Sequence, residues 1–125
     1  MPEGPGGRRY PRTARVNELL REVVAEELER LQDDDPRLAM LAVTHVEATP
    51  DLRRAKVLLS SLPEGVAEEL ERHRLRLQAA IGRQVRLKRT PQLSFEADPA
   101  VAKGQLIEDL LRELDRARGP GDVDE

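Results

Sequence analysis

The chain has 125 residues, 36% of them charged and 38% hydrophobic, with no cysteine, no tryptophan, one tyrosine and one phenylalanine. That length suits one domain around one core of Leu, Val, Ile and Ala. The missing cysteines exclude a disulfide framework, a thiolate metal centre and a cysteine nucleophile, and no apolar run approaches the roughly 20 residues that a membrane span needs.

Residues 1–11 (MPEGPGGRRYP) are rich in Gly and Pro and read as a flexible basic arm carrying Arg8 and Arg9. No apolar secretory segment opens the chain, which points to a cytoplasmic address. Thr13 offers a helix N-cap, and Val16, Leu19, Leu20, Val23, Val24, Leu28 and Leu31 recur at amphipathic-helix spacing. Asp33-Asp34-Asp35 before Pro36 ends that helix, because proline disfavours the α conformation in its predecessor. Leu38 to Val46 and Ala55 to Leu62 are short apolar runs separated by the turn residues Thr49-Pro50-Asp51, and predict an antiparallel hairpin.

After Pro63, the residues Val66, Leu70, His73, Leu77, Ala80 and Ile81 share one helical face, while Leu75 falls off it; an apolar residue out of phase predicts a bend that lets two halves bury different faces. Arg86 to Phe95 becomes a strand in its second part, with Leu93 and Phe95 on one face and Pro91 at its first residue or on an edge. Asp98-Pro99 caps a last helix to about Arg118, whose stripe of Val101, Leu106, Ile107, Leu110, Leu111 and Leu114 is expected to cover the domain's own sheet. The expected fold is α+β: one domain over 12–117, its first two helices on one face of three strands, and a disordered acidic tail over 118–125.

The net charge of −3 hides a sorted chain. Arg72, Arg74, Arg76, Arg83, Arg86, Lys88 and Arg89 lie between Arg72 and Phe95 without one acid, leaving 14 basic against 24 acidic side chains elsewhere. Arg8, Arg9, Arg12 and Arg15 form a second acid-free patch. The plain reading is a solvated helix and strand face; the sharper one is a polyanion-binding face, with arginine favouring bidentate phosphate contacts. Catalytic signatures do not appear: no phosphate-cradling loop, no nucleophile elbow and no dinucleotide fingerprint. His45 and His73 stand on different elements without cysteines, so no metal site and no cofactor are expected, and His73 reads as a half-buried packing residue.

Asp35-Pro36-Arg37-Leu38, Val43-Thr44-His45-Val46-Glu47 and Asp51-Leu52-Arg53-Arg54-Ala55-Lys56-Val57 form a collinear set with Ile81-Gly82, Leu87, Thr90-Pro91-Gln92-Leu93-Ser94-Phe95 and Asp98. With Arg12 to Val16 opening the first helix, this pattern resembles the ribosome-binding factor A family over about residues 8–111. The resemblance implies a KH-like domain of the second topology, α-β-β-α-kink-α-β, here with an additional C-terminal helix. The family's kink carries an A-x-G sequence where this chain reads His73-Arg74-Leu75. It further implies a non-catalytic assembly factor that binds the small (30S) ribosomal subunit and its 16S rRNA. Such a factor assists late maturation, including 5′-end processing, and growth in the cold. Charge clustering then makes Arg72, Arg74, Arg76, Arg83, Arg86, Lys88 and Arg89 the main phosphate contacts, with Arg8, Arg9, Arg12 and Arg15 as an arm. A monomer is expected; the competing reading is a helical protein-interaction or dimerisation module that does not bind RNA directly.

Overall fold

The computed structural model describes residues 12–118; the expected arm over 1–11, with Arg8 and Arg9, and the tail beyond Arg118 lie outside them. Helix α1 runs Arg12–Asp34, followed by a 3-10 turn Pro36–Leu38, strands β1 (Val43–Ala48) and β2 (Arg54–Leu59), helices α2 (Glu64–Arg72) and α3 (Arg74–Gln84), strand β3 (Gln92–Ala97) and helix α4 (Pro99–Arg118). This is the α+β order expected from the sequence, with boundaries that differ for definable reasons. Thr13 lies inside the first turn of α1 rather than at its cap, since the helix has begun by Arg12. The apolar run from Leu38 does not start as a strand. Asp35 accepts the Arg37 amide at 3.2 Å, with Pro36 opening the turn, and the Gln32 side chain donates to the carbonyls of Leu38 and Leu41, each at 2.8 Å. Those carbonyls are thereby satisfied locally, and pairing begins only at Val43.

The sheet has the order β1-β2-β3. β1 and β2 are antiparallel with a bulge between Val43 and His45; β3 runs parallel to β2 from Arg54↔Gln92 to Leu59↔Ala97. Pro91, buried, sits just ahead of edge strand β3, where it need not donate to a ladder. Val46, Ala55, Val57, Leu59 and Leu93 form the inner face, and Leu20, Val24, Leu28 and Leu31 of α1 with Leu77, Ala80 and Ile81 of α3 close the core over it. The opposite face is mostly polar: Glu47 pairs in register with Lys56, whose ammonium stands 3.7 Å from Glu96, and Leu58 is its one buried hydrophobic side chain among the described residues.

The expected bent helix is two helices. His73 separates them at φ −99°, ψ 7°, donating its amide to Leu70 at 2.9 Å and accepting that of Leu77 at 3.1 Å. The turn therefore occurs at His73. Leu75 is not recruited to a second buried face, as its phase had suggested, but stays 69% exposed.

Helix α4 overturns the expectation that it covers the sheet. Its start is well fixed: Asp98 accepts the Ala100 amide at 2.9 Å and the Thr44 hydroxyl. Beyond that no residue of α4 is buried, and Leu106, Ile107, Leu110, Leu111 and Leu114 are each more than half exposed. The reason lies in the sheet: its inner face is already filled by α1 and α3, and its outer face, with Glu47, Lys56 and Glu96 around a single buried Leu58 beside Pro99 and Ala100, offers too little apolar surface for a stripe that continues to Leu114. Among the described residues, no helix is long and apolar enough to cross a membrane.

Candidate nucleic-acid interface

The seven cations of the acid-free window divide in space into two groups. Arg72, Arg74 and Arg76 cluster about the α2–α3 break, and each meets a carboxylate: Arg72 lies 3.8 Å from Glu69, Arg74 pairs with Glu71, and Arg76 donates to Glu27 at 2.8 Å and stands 3.8 Å from Asp34. Glu27 is buried, and its hydrogen bond from Arg76, seconded by one from Arg30, holds its carboxyl below the ordinary value against the opposing effect of burial. These arginines are engaged in the fold, and part of their charge is neutralised where they stand.

Arg83, Arg86, Lys88 and Arg89 are exposed and meet no carboxylate within ion-pair distance among the described residues. The last three belong to the α3–β3 loop, which the parallel pairing of β3 with β2 brings to the start of both strands; there the Gln92 amide donates to the Arg53 carbonyl at 2.8 Å. The N-terminal part of α1 reaches the same end, with Asn17 Oδ1 accepting the Ala48 amide at 2.9 Å. Gly82 allows the loop to close against α3, since a Cβ there would stand 3.2 Å from the Thr90 hydroxyl. Arg15, in the first turns of α1, is exposed.

Together these segments form an open cavity of about 590 Å³ lined by the apolar Val16, Leu52 and Leu87 and by the cationic Arg53, Arg86, Lys88 and Arg89. Asp51 also lines it; its carboxylate accepts the Thr49 hydroxyl at 2.7 Å and the Arg53 amide at 3.1 Å, which hold its pKa below the ordinary value, and stands 4.0 Å from the exposed Arg53 guanidinium. Arg53 and its exposed neighbour Arg54 are the cations that charge counting missed. Their signal, two adjacent arginines in a turn, was masked by Asp51 beside them.

A second polar cluster ties the interhelical break to the end of α1. Asp35 and Glu69 are both buried, and the Arg37 guanidinium spans them at 3.1 and 3.0 Å. His73 Nε2 lies 3.3 Å from Asp35 and 3.5 Å from Glu69, so it is half-buried as expected, yet within a polar cluster and not as plain packing. A hydrogen bond with Glu69, above all, and others from Arg37 and His73 keep the Asp35 carboxyl well below the usual carboxylate range, against the effect of burial. Asp35, Glu69 and His73 have the donor types of a metal site, their ligand atoms lying within 4.8 Å of one another. The guanidinium already supplies positive charge to both carboxylates.

The architecture defines a class: a small KH-like α+β domain with helices on one sheet face, a break between its second and third helices, and a cationic pole at one end of the strands. Comparison with known proteins narrows it. A sequence model described as Ribosome-binding factor A matches residues 12–111. Ribosome-binding factor A of Rubrobacter xylanophilus is 42% identical over 115 residues, covering 88% of this chain and 93% of the relative; that of Azoarcus sp. is 40% identical over 113 residues, covering 83% and 89%. The chain belongs to the ribosome-binding factor A family. The crystal structure of ribosome-binding factor A from Thermus thermophilus superposes with a TM-score of 0.63 at 34% identity, covering 69% of this chain and 94% of that one. A homology model of the T. thermophilus protein, fitted into a cryo-electron-microscopy map of a 30S–RbfA complex, superposes at 0.56 with 35% identity, covering 66% and 91%.

Proposed function

We propose that this chain binds the small ribosomal subunit and its 16S rRNA, and that it acts without catalysis, through phosphate and shape contacts, in late subunit maturation. The observation that carries this reading is the pole where Arg53, Arg86, Lys88 and Arg89 surround one cavity on a chain of net negative charge. Sorted charge of this kind concentrates a polyanion at one end and turns the acidic remainder away from it. The relative fitted into a 30S complex supports the choice of polyanion. Within this reading Arg83, Arg86, Lys88, Arg89 and Arg15 make phosphate contacts together with Arg53 and Arg54, while Arg72, Arg74 and Arg76 contribute field from within ion pairs. Assistance to 5′-end processing and to growth in the cold, and a cytoplasmic location, belong to the same proposal.

The test is co-sedimentation of the purified protein with isolated small subunits. Neutralising about four to six phosphates gives a slope of log K against log salt of roughly −3 to −5. Binding that weakens along that slope supports the proposal; protein that remains in the supernatant at low salt refutes it.

A second reading, α4 as a protein-interaction or dimerisation element, is favoured by its exposed leucine stripe. Light scattering decides its dimeric form: a mass of 14.1 kDa excludes it and twice that value supports it.

A further inference from the structure

The cavity at the cationic pole has a feature that phosphate binding alone does not use, namely apolar side chains in its lining. Val16, Leu52 and Leu87, each half-buried, line it together with the arginines, Val16 and Leu87 also packing against the core. Leu52 is the one non-glycine residue with positive φ, at 59°, among the described residues. A turn that needs only this left-handed conformation is served by Gly or Asn; a leucine there accepts strain and supplies apolar surface at the mouth of the cavity. The cavity's volume of about 590 Å³ falls in the range of small-ligand pockets.

A duplex cannot exploit such a site, because its bases are stacked inside and it presents phosphates and sugars to a protein. An unstacked nucleotide can. Its base lays a flat apolar face on aliphatic side chains, guanidinium planes stack against the other face, and the flanking phosphates meet the charged rim. The chain has no aromatic platform for this purpose, with a single Phe and a single Tyr, and the aliphatic side chains of the cavity take that role. We propose that this pocket seats one unpaired nucleotide of an RNA, its base over Leu52 and Leu87 and its phosphates on Arg53, Arg86 and Arg89. The proposal rests on the RNA-binding reading and specifies the structural class of RNA recognised.

Fluorescence anisotropy with the full chain tests it, using two labelled RNA hairpins that differ by one bulged uridine in the stem, and unlabelled uridine 5′-monophosphate as competitor. The bulged hairpin is expected to bind about tenfold tighter than the paired one, a ratio that requires only about 55 Å² of apolar surface to leave water. Leu52→Asn keeps a residue that tolerates positive φ and removes the apolar surface; it should lower affinity for the bulged hairpin to that of the paired one and leave the paired one unchanged. Leu87→Ser should act the same way, and serves if the first variant fails to fold as judged by circular dichroism. Equal affinity of wild type for both hairpins overturns the pocket while leaving RNA binding intact. Displacement of the bulged hairpin by micromolar mononucleotide also overturns it, in favour of a free-nucleotide site. Binding to neither hairpin overturns it too, and co-sedimentation with the subunit then shows whether the broader function falls with it.

Discussion

Replacing Arg76 separates the structural from the functional share of the basic window. Arg76→Gln removes the guanidinium 2.8 Å from buried Glu27 and leaves that carboxylate with Arg30, at 2.9 Å, as its remaining partner. Loss of one charge-assisted hydrogen bond to a buried group is worth about 1.5–3 kcal/mol. Arg76 is 44% exposed, so solvent screening reduces this to roughly 1–2 kcal/mol. In a domain of this size that is a fall in melting temperature of about 5–10 °C. The sign with pH is fixed by the lowered pKa of Glu27: its contribution is present above the unfolded value, near 4.5, and fades as pH falls through the folded one, so the variant's deficit should shrink in acid. Thermal denaturation at pH 7 and in the acid limb measures both quantities. Co-sedimentation of the same variant with small subunits should change little, whereas Arg86→Ala/Lys88→Ala/Arg89→Ala should lose most binding with a near wild-type melting temperature. The reasoning is refuted if Arg76→Gln melts like wild type but stays in the supernatant.

Leu77→Ala opens a cavity at a fully buried position between α1 and the sheet and should cost about 2–5 kcal/mol in urea unfolding; a loss below about 1 kcal/mol would show the core to be looser than described. Asp35→Asn should flatten the acid limb of the stability curve: the Asp35 carboxyl is depressed when folded, so its contribution exists above the ordinary value of 3.8 and disappears as pH falls below it. Melting temperatures of both proteins between pH 7 and 3 check this, and parallel curves would count against it. Removing the residues after Ala102 should leave the unfolding free energy of the remaining domain within about 0.5 kcal/mol of wild type, because no residue of α4 is buried; a clear drop would mean that α4 makes contacts the structure does not show.

Periodicity made α1 legible because its stripe of Leu20, Val23, Val24, Leu28 and Leu31 faces one core continuously. The Asp98-Pro99 start of α4 was equally readable, since a cap and its first turn are neighbours in the chain. What escaped sequence reading depends on separation along the chain. Arg76 meets Glu27 across 49 residues, and His73 meets Asp35 across 38, so an acid-free window in sequence is not one in space. The cavity is assembled from the first turns of α1, one turn and one loop, which the parallel pairing of β3 with β2 and the Ala48–Asn17 hydrogen bond bring together. Nor does an amphipathic stripe carry a record of whether anything covers it, and the outer face of the sheet, polar but for Leu58, decided that question for α4.

That uncovered helix changes what an unfolding curve of this protein reports. Among the described residues α4 contributes 20 of the 63 in α-helix, yet beyond its anchored first turn it draws its order from local terms, chiefly the i,i+3 pairs Arg112–Asp109, Arg116–Glu113 and Arg118–Asp115. Helices of that length without tertiary support are marginal in water and melt over a broad range. Close to a third of the far-ultraviolet signal should therefore drain away as a sloping pre-transition baseline, with amides that exchange through near-zero opening free energies, while the sharp step that follows belongs to residues 12–97.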